Sequence, residues 1–298
     1  MTNEATVVRL KTLLGDYPNT KALKSGAIKS STVTFDFADV KVPNTAFKDV
    51  VRHLKYDVAE LAIVTYLQAK AHGKPLVLLP AVMVGALPHP FLVYNAERGA
   101  LSPADLNGKR LGIRAYSVTT AAWVRGVLQN DHGVDLDSIK WVTFEDPHVA
   151  EYSDPPTAQR AAAGKQMAQM LLDGELDAAV VGGGDLKEPR FRPVIPNPDA
   201  AARAWCQKHG AVPVNHMVVV KESLAQSNPD AVREVFRLLR ESKSASGATG
   251  ELDPLQFGLP SLRRSLEIII DYSAQQRLIP RKFAVGELFN DFTRTLGS

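Results

Sequence analysis

Asp105-Leu106-Asn107-Gly108-Lys109-Arg110-Leu111-Gly112-Ile113-Arg114-Ala115-Tyr116-Ser117-Val118-Thr119-Thr120 holds a strand, a turn and a helix start in one run. Residues 110–114 read as a short buried strand ending in an arginine. A hydroxyl-rich turn follows, and a helix over 119–130 opens directly from it. Unpaired N–H groups at a helix N-terminus, three hydroxyls and one guanidinium together suit a carboxylate or a phosphate. The stretch predicts an α/β protein that handles small anions.

The same alternation extends in both directions. Upstream, strands are expected over 7–14, 32–37, 57–63, 75–84 and 91–94, with helices over 19–26, 45–54 and 66–72. Downstream, strands are expected over 140–144, 177–181 and 214–220. Helices are expected over 157–172, 199–208, 229–243, 262–276 and 285–296, with a small polar loop over 244–250. Strands that are apolar on both faces and separated by helices belong in sheets covered on both sides. The chain reads as crossing between lobes near 94–96 and again near 212–216. One lobe is then residues 1–94 plus 215–298, the other 95–214, with a ligand cleft expected between them.

Composition narrows the function classes. With 298 residues and 45% hydrophobic content, the chain can bury one large core or two medium ones. Its net charge of +3, from 35 basic and 32 acidic residues without a dense basic run, argues against nucleic acid as a partner. No run of 18 apolar residues predicts a membrane span. The start Met1-Thr2-Asn3-Glu4-Ala5-Thr6 lacks a basic segment followed by an apolar one, so a cytoplasmic location is expected. The single cysteine, Cys206, allows neither an internal disulfide nor a cysteine-based zinc site. Gly182-Gly183-Gly184 lacks the spacing of a phosphate-binding loop, and no Gly-x-Ser-x-Gly elbow occurs.

Several stretches then carry a resemblance. They are Leu13-Leu14-Gly15-Asp16-Tyr17-Pro18, Phe37-Ala38-Asp39-Val40-Lys41-Val42-Pro43, Asp57-Val58-Ala59-Glu60-Leu61-Ala62-Ile63-Val64-Thr65 and the Arg114 turn. Trp141-Val142-Thr143-Phe144-Glu145-Asp146, with His148 and Glu151, and Val214-Asn215-His216-Met217-Val218-Val219 complete the set. On these the chain resembles the 4,5-dihydroxyphthalate decarboxylase family over nearly its whole length. The resemblance implies a two-lobed fold like the type II periplasmic binding proteins, each lobe a mixed sheet flanked by helices. It also implies cofactor-free decarboxylation of a hydroxylated aromatic dicarboxylate to protocatechuate. No site residues are carried over from it.

The chemistry sets its own demands. Losing CO2 directly would leave an aryl carbanion, so the ring carbon is protonated first, and a para hydroxyl supplies electron density. Cations must seat the dianion, and titrating groups must move protons. For seating, Arg114, Ser117, Thr119 and Thr120 are the first choice, with Lys11 in the first strand, Pro-flanked His89, and Tyr17 stacking on a ring. For proton transfer the choices are Glu60 and His216. Glu60 interrupts an apolar strand, where a carboxylate is costly to bury unless paired or protonated. His216 borders an apolar strand, and histidine titrates near neutrality. Glu145, Asp146 and His148 fit no standard zinc spacing, so no metal is expected.

Two rivals share this fold. One is a solute-binding protein that captures a small carboxylate or sulfonate for an ABC transporter, which would need export. The other is a pyrimidine-synthesis-like enzyme, which would want phosphate ligands and active-site histidines. The number of subunits is left open, a homo-oligomer included.

Overall fold

The structure, a computed structural model, describes residues 7–247 and 252–298. The N-terminal stretch 1–6 and the 248–250 end of the expected polar loop lie outside the described residues. In chain order the elements are β1 (Val8–Leu13), α1 (Pro18–Lys24), β2 (Val33–Phe37), α2 (Phe47–His53), β3 (Val58–Ala62), α3 (Ile63–Ala71) and β4 (Leu76–Gly85). There follow β5 (Leu92–Asn95), β6 (Arg110–Ile113), α4 (Thr119–His132), β7 (Lys140–Thr143), β8 (Ala158–Arg160), α5 (Met167–Asp173), β9 (Ala178–Val180), β10 (Phe191–Pro193) and α6 (Pro198–His209). The last are β11 (Val214–Lys221), α7 (Glu222–Ser227), α8 (Pro229–Ala245) and α9 (Leu259–Gln275). Among the described residues no helix is long and apolar enough to cross a membrane.

The chain divides into two compact units, each built on a mixed sheet with helices against it. The first takes the chain up to Gly85, with Val214–Glu267 and Phe283–Ser298. Its five strands run in the order β2-β1-β3-β11-β4. β1 lies parallel to β2 and β3, while β11 runs antiparallel between β3 and β4. The core gathers Leu10, Val58, Val77 and Val218 from the strands, Leu23 from α1, and Val232, Val235, Phe236 and Leu239 from α8. The α8 residues recur at helical spacing, and the helix starts cleanly. Pro229 is its first residue, and the Asn228 side chain accepts the Ala231 N–H at 3.0 Å. Each buried Val or Leu side chain contributes roughly 1.5–3 kcal/mol.

The second unit is Ala86–Pro213 with Ile268–Lys282. Its six strands run β10-β5-β9-β6-β7-β8, of which β9, β6, β7 and β8 are mutually parallel. β5 therefore belongs here, because it pairs with β9 and β10. The boundary falls after Gly85, not after residue 94, and the expected single return is supplemented by 268–282. Trp123 of α4 packs edge-to-face on Trp205 and on Tyr272, with centroids 5.7 Å apart in both pairs. Gly126 makes room for this, since a methyl there would lie 1.8 Å from the Tyr272 ring.

Two expected helices differ. The Ala-rich run over 157–172 favours a helix by propensity, but β8 pairs with β7 through Trp141↔Ala158. Gly164 then turns with φ +82°, and the helix begins only at Met167. The run over 285–296 forms two short 3-10 turns, Val285–Leu288 and Thr293–Thr295. α8 also continues to Ala245, into the stretch read as a loop.

Candidate active site

Three separated stretches meet inside the first unit. Parallel pairing of Thr12 with Val58 and Leu13 with Ala59 puts the turn at the carboxyl end of β1 beside Glu60, the middle residue of β3. Ligand sites in α/β sheets favour this carboxyl edge. β11 runs back along β3 with Val218 opposite Glu60 and His216 opposite Ala62, so Glu60 and His216 are diagonal neighbours on one face. The pairing of β11 with β4 shifts register on both sides of His216, an irregularity that re-aims a side chain.

Glu60 is fully buried. Its Oε2 accepts the Gly15 backbone N–H at 2.6 Å. Its Oε1 accepts the Tyr17 hydroxyl at 2.8 Å and lies 2.9 Å from His216 Nδ1. The backbone amide can only donate, and the Tyr17 phenol is held protonated. Burial, then the charge of Glu60 and the hydrogen bond to it, then Asp16, push that phenol well above its ordinary value. A carboxylate with both oxygens engaged by donors meets its burial cost in this way. With Glu60 ionised, His216 Nδ1 is the third donor, which leaves Nε2 with its lone pair. That nitrogen has no hydrogen-bond partner among the described residues, and the His216 side chain is 17% exposed. Phe47 packs edge-on against the imidazole, with centroids 5.1 Å apart. The result is a histidine oriented by a buried carboxylate, competent to move a proton at Nε2.

The structure thus brings Tyr17, Glu60 and His216 together, and it gives Tyr17 a task other than ring stacking. Lys11 is exposed on β1, its backbone N–H donating to Asp57 Oδ2 at 2.8 Å. The remaining candidates lie in the second unit. Arg114 Nη1 donates to Glu145 Oε2 at 2.6 Å, so its charge is already matched. Ser117 and Thr119 are buried, and Thr120 is half-buried at the start of α4. Asp146 pairs with Arg160. Among the described residues no three acidic, histidine or cysteine side chains are placed to hold a metal ion.

One residue at this turn escapes a sequence reading. Arg125 is fully buried two turns into α4. Its guanidinium lies 4.0 Å from the Tyr116 ring centroid, and its Nη2 donates to the Tyr116 carbonyl at 2.7 Å. Its Nε donates to Gln276 Oε1 at 2.8 Å. Burial pulls its pKa down. It braces the Arg114 turn from behind. The only sequence signal is an arginine on the apolar face of a helix.

His89, one of the residues expected to seat the substrate, is only 2% exposed and packs edge-on to Trp205 at 6.5 Å. Burial and then the nearby His132 lower its pKa from 6.5 to about 4. Its proline neighbours fix a turn, and α6 covers that turn. The unfolded chain therefore protonates this imidazole before the folded one does. Stability should fall as pH drops from about 6.5 to 4, by at most about 3 kcal/mol. Urea midpoints of the wild type and His89→Phe, measured between pH 7 and 4.5, test this. Parallel losses in the two proteins would remove His89 as the cause.

The comparisons agree with this architecture. A family model described as NMT1/THI5 like matches residues 38–246. The 4,5-dihydroxyphthalate decarboxylase of Comamonas testosteroni is 28% identical over 251 residues, 80% of this chain and 76% of that protein. A Pseudomonas putida protein of the same name is 29% identical over 181 residues, 58% of this chain and 70% of that protein. The periplasmic aliphatic sulphonate binding protein of Escherichia coli is similar in structure. Its TM-score is 0.63 at 12% identity, covering 95% of this chain and 92% of that one. At that identity the likeness shows a shared fold alone.

Proposed function

This chain belongs to the NMT1/THI5-like family, and from that premise we propose that it is a carboxy-lyase acting on 4,5-dihydroxyphthalate or a closely related hydroxylated aromatic carboxylate. The observation that carries the reading is His216, held at Nδ1 by the buried Glu60 and open at Nε2. The decarboxylases of Comamonas testosteroni and Pseudomonas putida support the reaction class.

The steps balance without an electron acceptor. The hydroxyl para to the departing carboxylate loses its proton to solvent, which loads the ring carbon with electron density. The His216 imidazolium, stabilised by the Glu60 charge 2.9 Å away, gives its Nε2 proton to that carbon. The carbon–carbon bond then breaks, its electron pair restores the aromatic ring, and CO2 leaves. His216 regains a proton from water. Acid catalysis of this kind supplies about 10²–10⁴ in rate.

Mixing the protein with 4,5-dihydroxyphthalate, with and without EDTA, tests the proposal. CO2 should appear together with the ultraviolet spectrum of protocatechuate, and in D2O the product should carry one deuterium at the vacated carbon. Tight binding of the dicarboxylate with no CO2 over hours would overturn the enzyme reading in favour of ligand capture.

A further inference from the structure

We infer that Tyr17 is a positioning residue that holds the Glu60–His216 pair in its anionic state, and that Gly15 is what lets it do so. The inference rests on the reading of His216 as the proton carrier. Tyr17 and His216 meet the same carboxylate oxygen, at 2.8 and 2.9 Å. The tyrosine hydroxyl therefore spreads the charge that the imidazole faces. Its help is greatest when the imidazole is neutral and the pair carries a full negative charge. Once the pair takes up a proton, that charge is already met. Removing the hydroxyl must therefore raise the pH at which the pair gains its proton, whichever partner receives it.

The turn is built for this contact. Thr20 is buried, its hydroxyl donating to the Gly15 carbonyl at 2.7 Å and accepting the Tyr17 N–H at 3.0 Å. Pro18 then starts α1. The Tyr17 ring lies directly on Gly15, where a methyl would fall 2.4 Å from Cζ and 2.5 Å from the hydroxyl oxygen. A side chain at residue 15 would therefore push the phenol off Glu60. Among the described residues, the charged or titratable groups in reach of the pair are Tyr17 and Asp16 from the turn, the latter paired with Lys24 of α1, beside Glu60 from β3 and His216 from β11 themselves. α2 contributes the uncharged edge of Phe47.

The test reads the imidazole directly. Nitrogen-15 spectra of the substrate-free protein are followed against pH, with the His216 signals assigned by their loss in His216→Asn. In Tyr17→Phe, which keeps the ring packing, the midpoint should rise by about 0.5–1 pH unit. The alkaline limb of kcat for 4,5-dihydroxyphthalate should move to higher pH by the same amount, with KM unchanged within about twofold. Gly15→Ala should show the same midpoint, and the double variant should be no worse than either single one. A Tyr17→Phe titration superimposable on the wild type overturns the role of Tyr17. A Gly15→Ala titration that follows the wild type overturns that of Gly15. A wild type that releases no CO2 overturns the decarboxylase reading only, because the titration needs no substrate.

Discussion

His216→Asn is expected to lower kcat for 4,5-dihydroxyphthalate by about 10²–10⁴-fold while KM stays within about threefold. Asparagine suits this test because its amide N–H₂ can reach the place of the imidazole Nδ1–H. Glu60 Oε1 then keeps its second donor, and no buried acceptor is orphaned. The backbone pairing of β11 with β3 does not depend on the side chain, and Val218 and Val220 stay in the core. The Phe47 edge loses a ring contact worth roughly 0.5–1.5 kcal/mol, which lowers the unfolding midpoint only slightly. What asparagine cannot do is carry a proton from water to carbon. A fall in kcat with an intact fold therefore isolates proton transfer. If the variant turns over at the wild-type rate, His216 is not the ring-proton donor, and the geometry around Glu60 has to be assigned another purpose.

The same residues show what a sequence can and cannot reveal. Glu60 and His216 announce themselves because each breaks or borders an apolar strand, and burial there is costly without a partner. Their pairing depends on β11 lying antiparallel to β3, a neighbour 156 residues away that no local pattern encodes. Tyr17 could be singled out but not explained, since its hydroxyl reaches Glu60 only because β1 and β3 are parallel and adjacent. Arg114 illustrates a different gap. Its place at the end of β6 is legible, whereas its match to Glu145 follows from β7 lying beside β6. The helix expected over 157–172 fails for the usual reason that edge pairing outweighs propensity in a short Ala-rich run. The division within α9, between Glu267 and Ile268, is invisible in sequence because the helix runs through it without a break.

Glu60→Gln should cost both activity and stability, and the donors around it say why. The glutamate has two acceptor oxygens for three donors, one of them the Gly15 backbone N–H. Glutamine offers one carbonyl oxygen and one N–H₂ group. If the carbonyl takes the Oε1 position, the N–H₂ points at the Gly15 N–H, and two donors confront each other at a buried position. The backbone cannot reverse its polarity, so the carbonyl will take the Oε2 position instead. Tyr17 and His216 then face an N–H₂ and must accept. The hydroxyl can rotate, and the imidazole can do so only by moving its proton to Nε2. The variant therefore holds His216 neutral in the opposite tautomer, with no adjacent charge to stabilise an imidazolium. A kcat loss of about 10²–10⁴-fold follows, of the kind seen when a buried carboxylate behind a catalytic histidine becomes an amide. The exchanged bonds should also cost about 1–3 kcal/mol of stability. Steady-state kinetics, an unfolding curve and the nitrogen-15 signature of His216 read the three effects separately. Wild-type turnover with His216 still protonated at Nδ1 would mean that Glu60 sets neither the tautomer nor the rate.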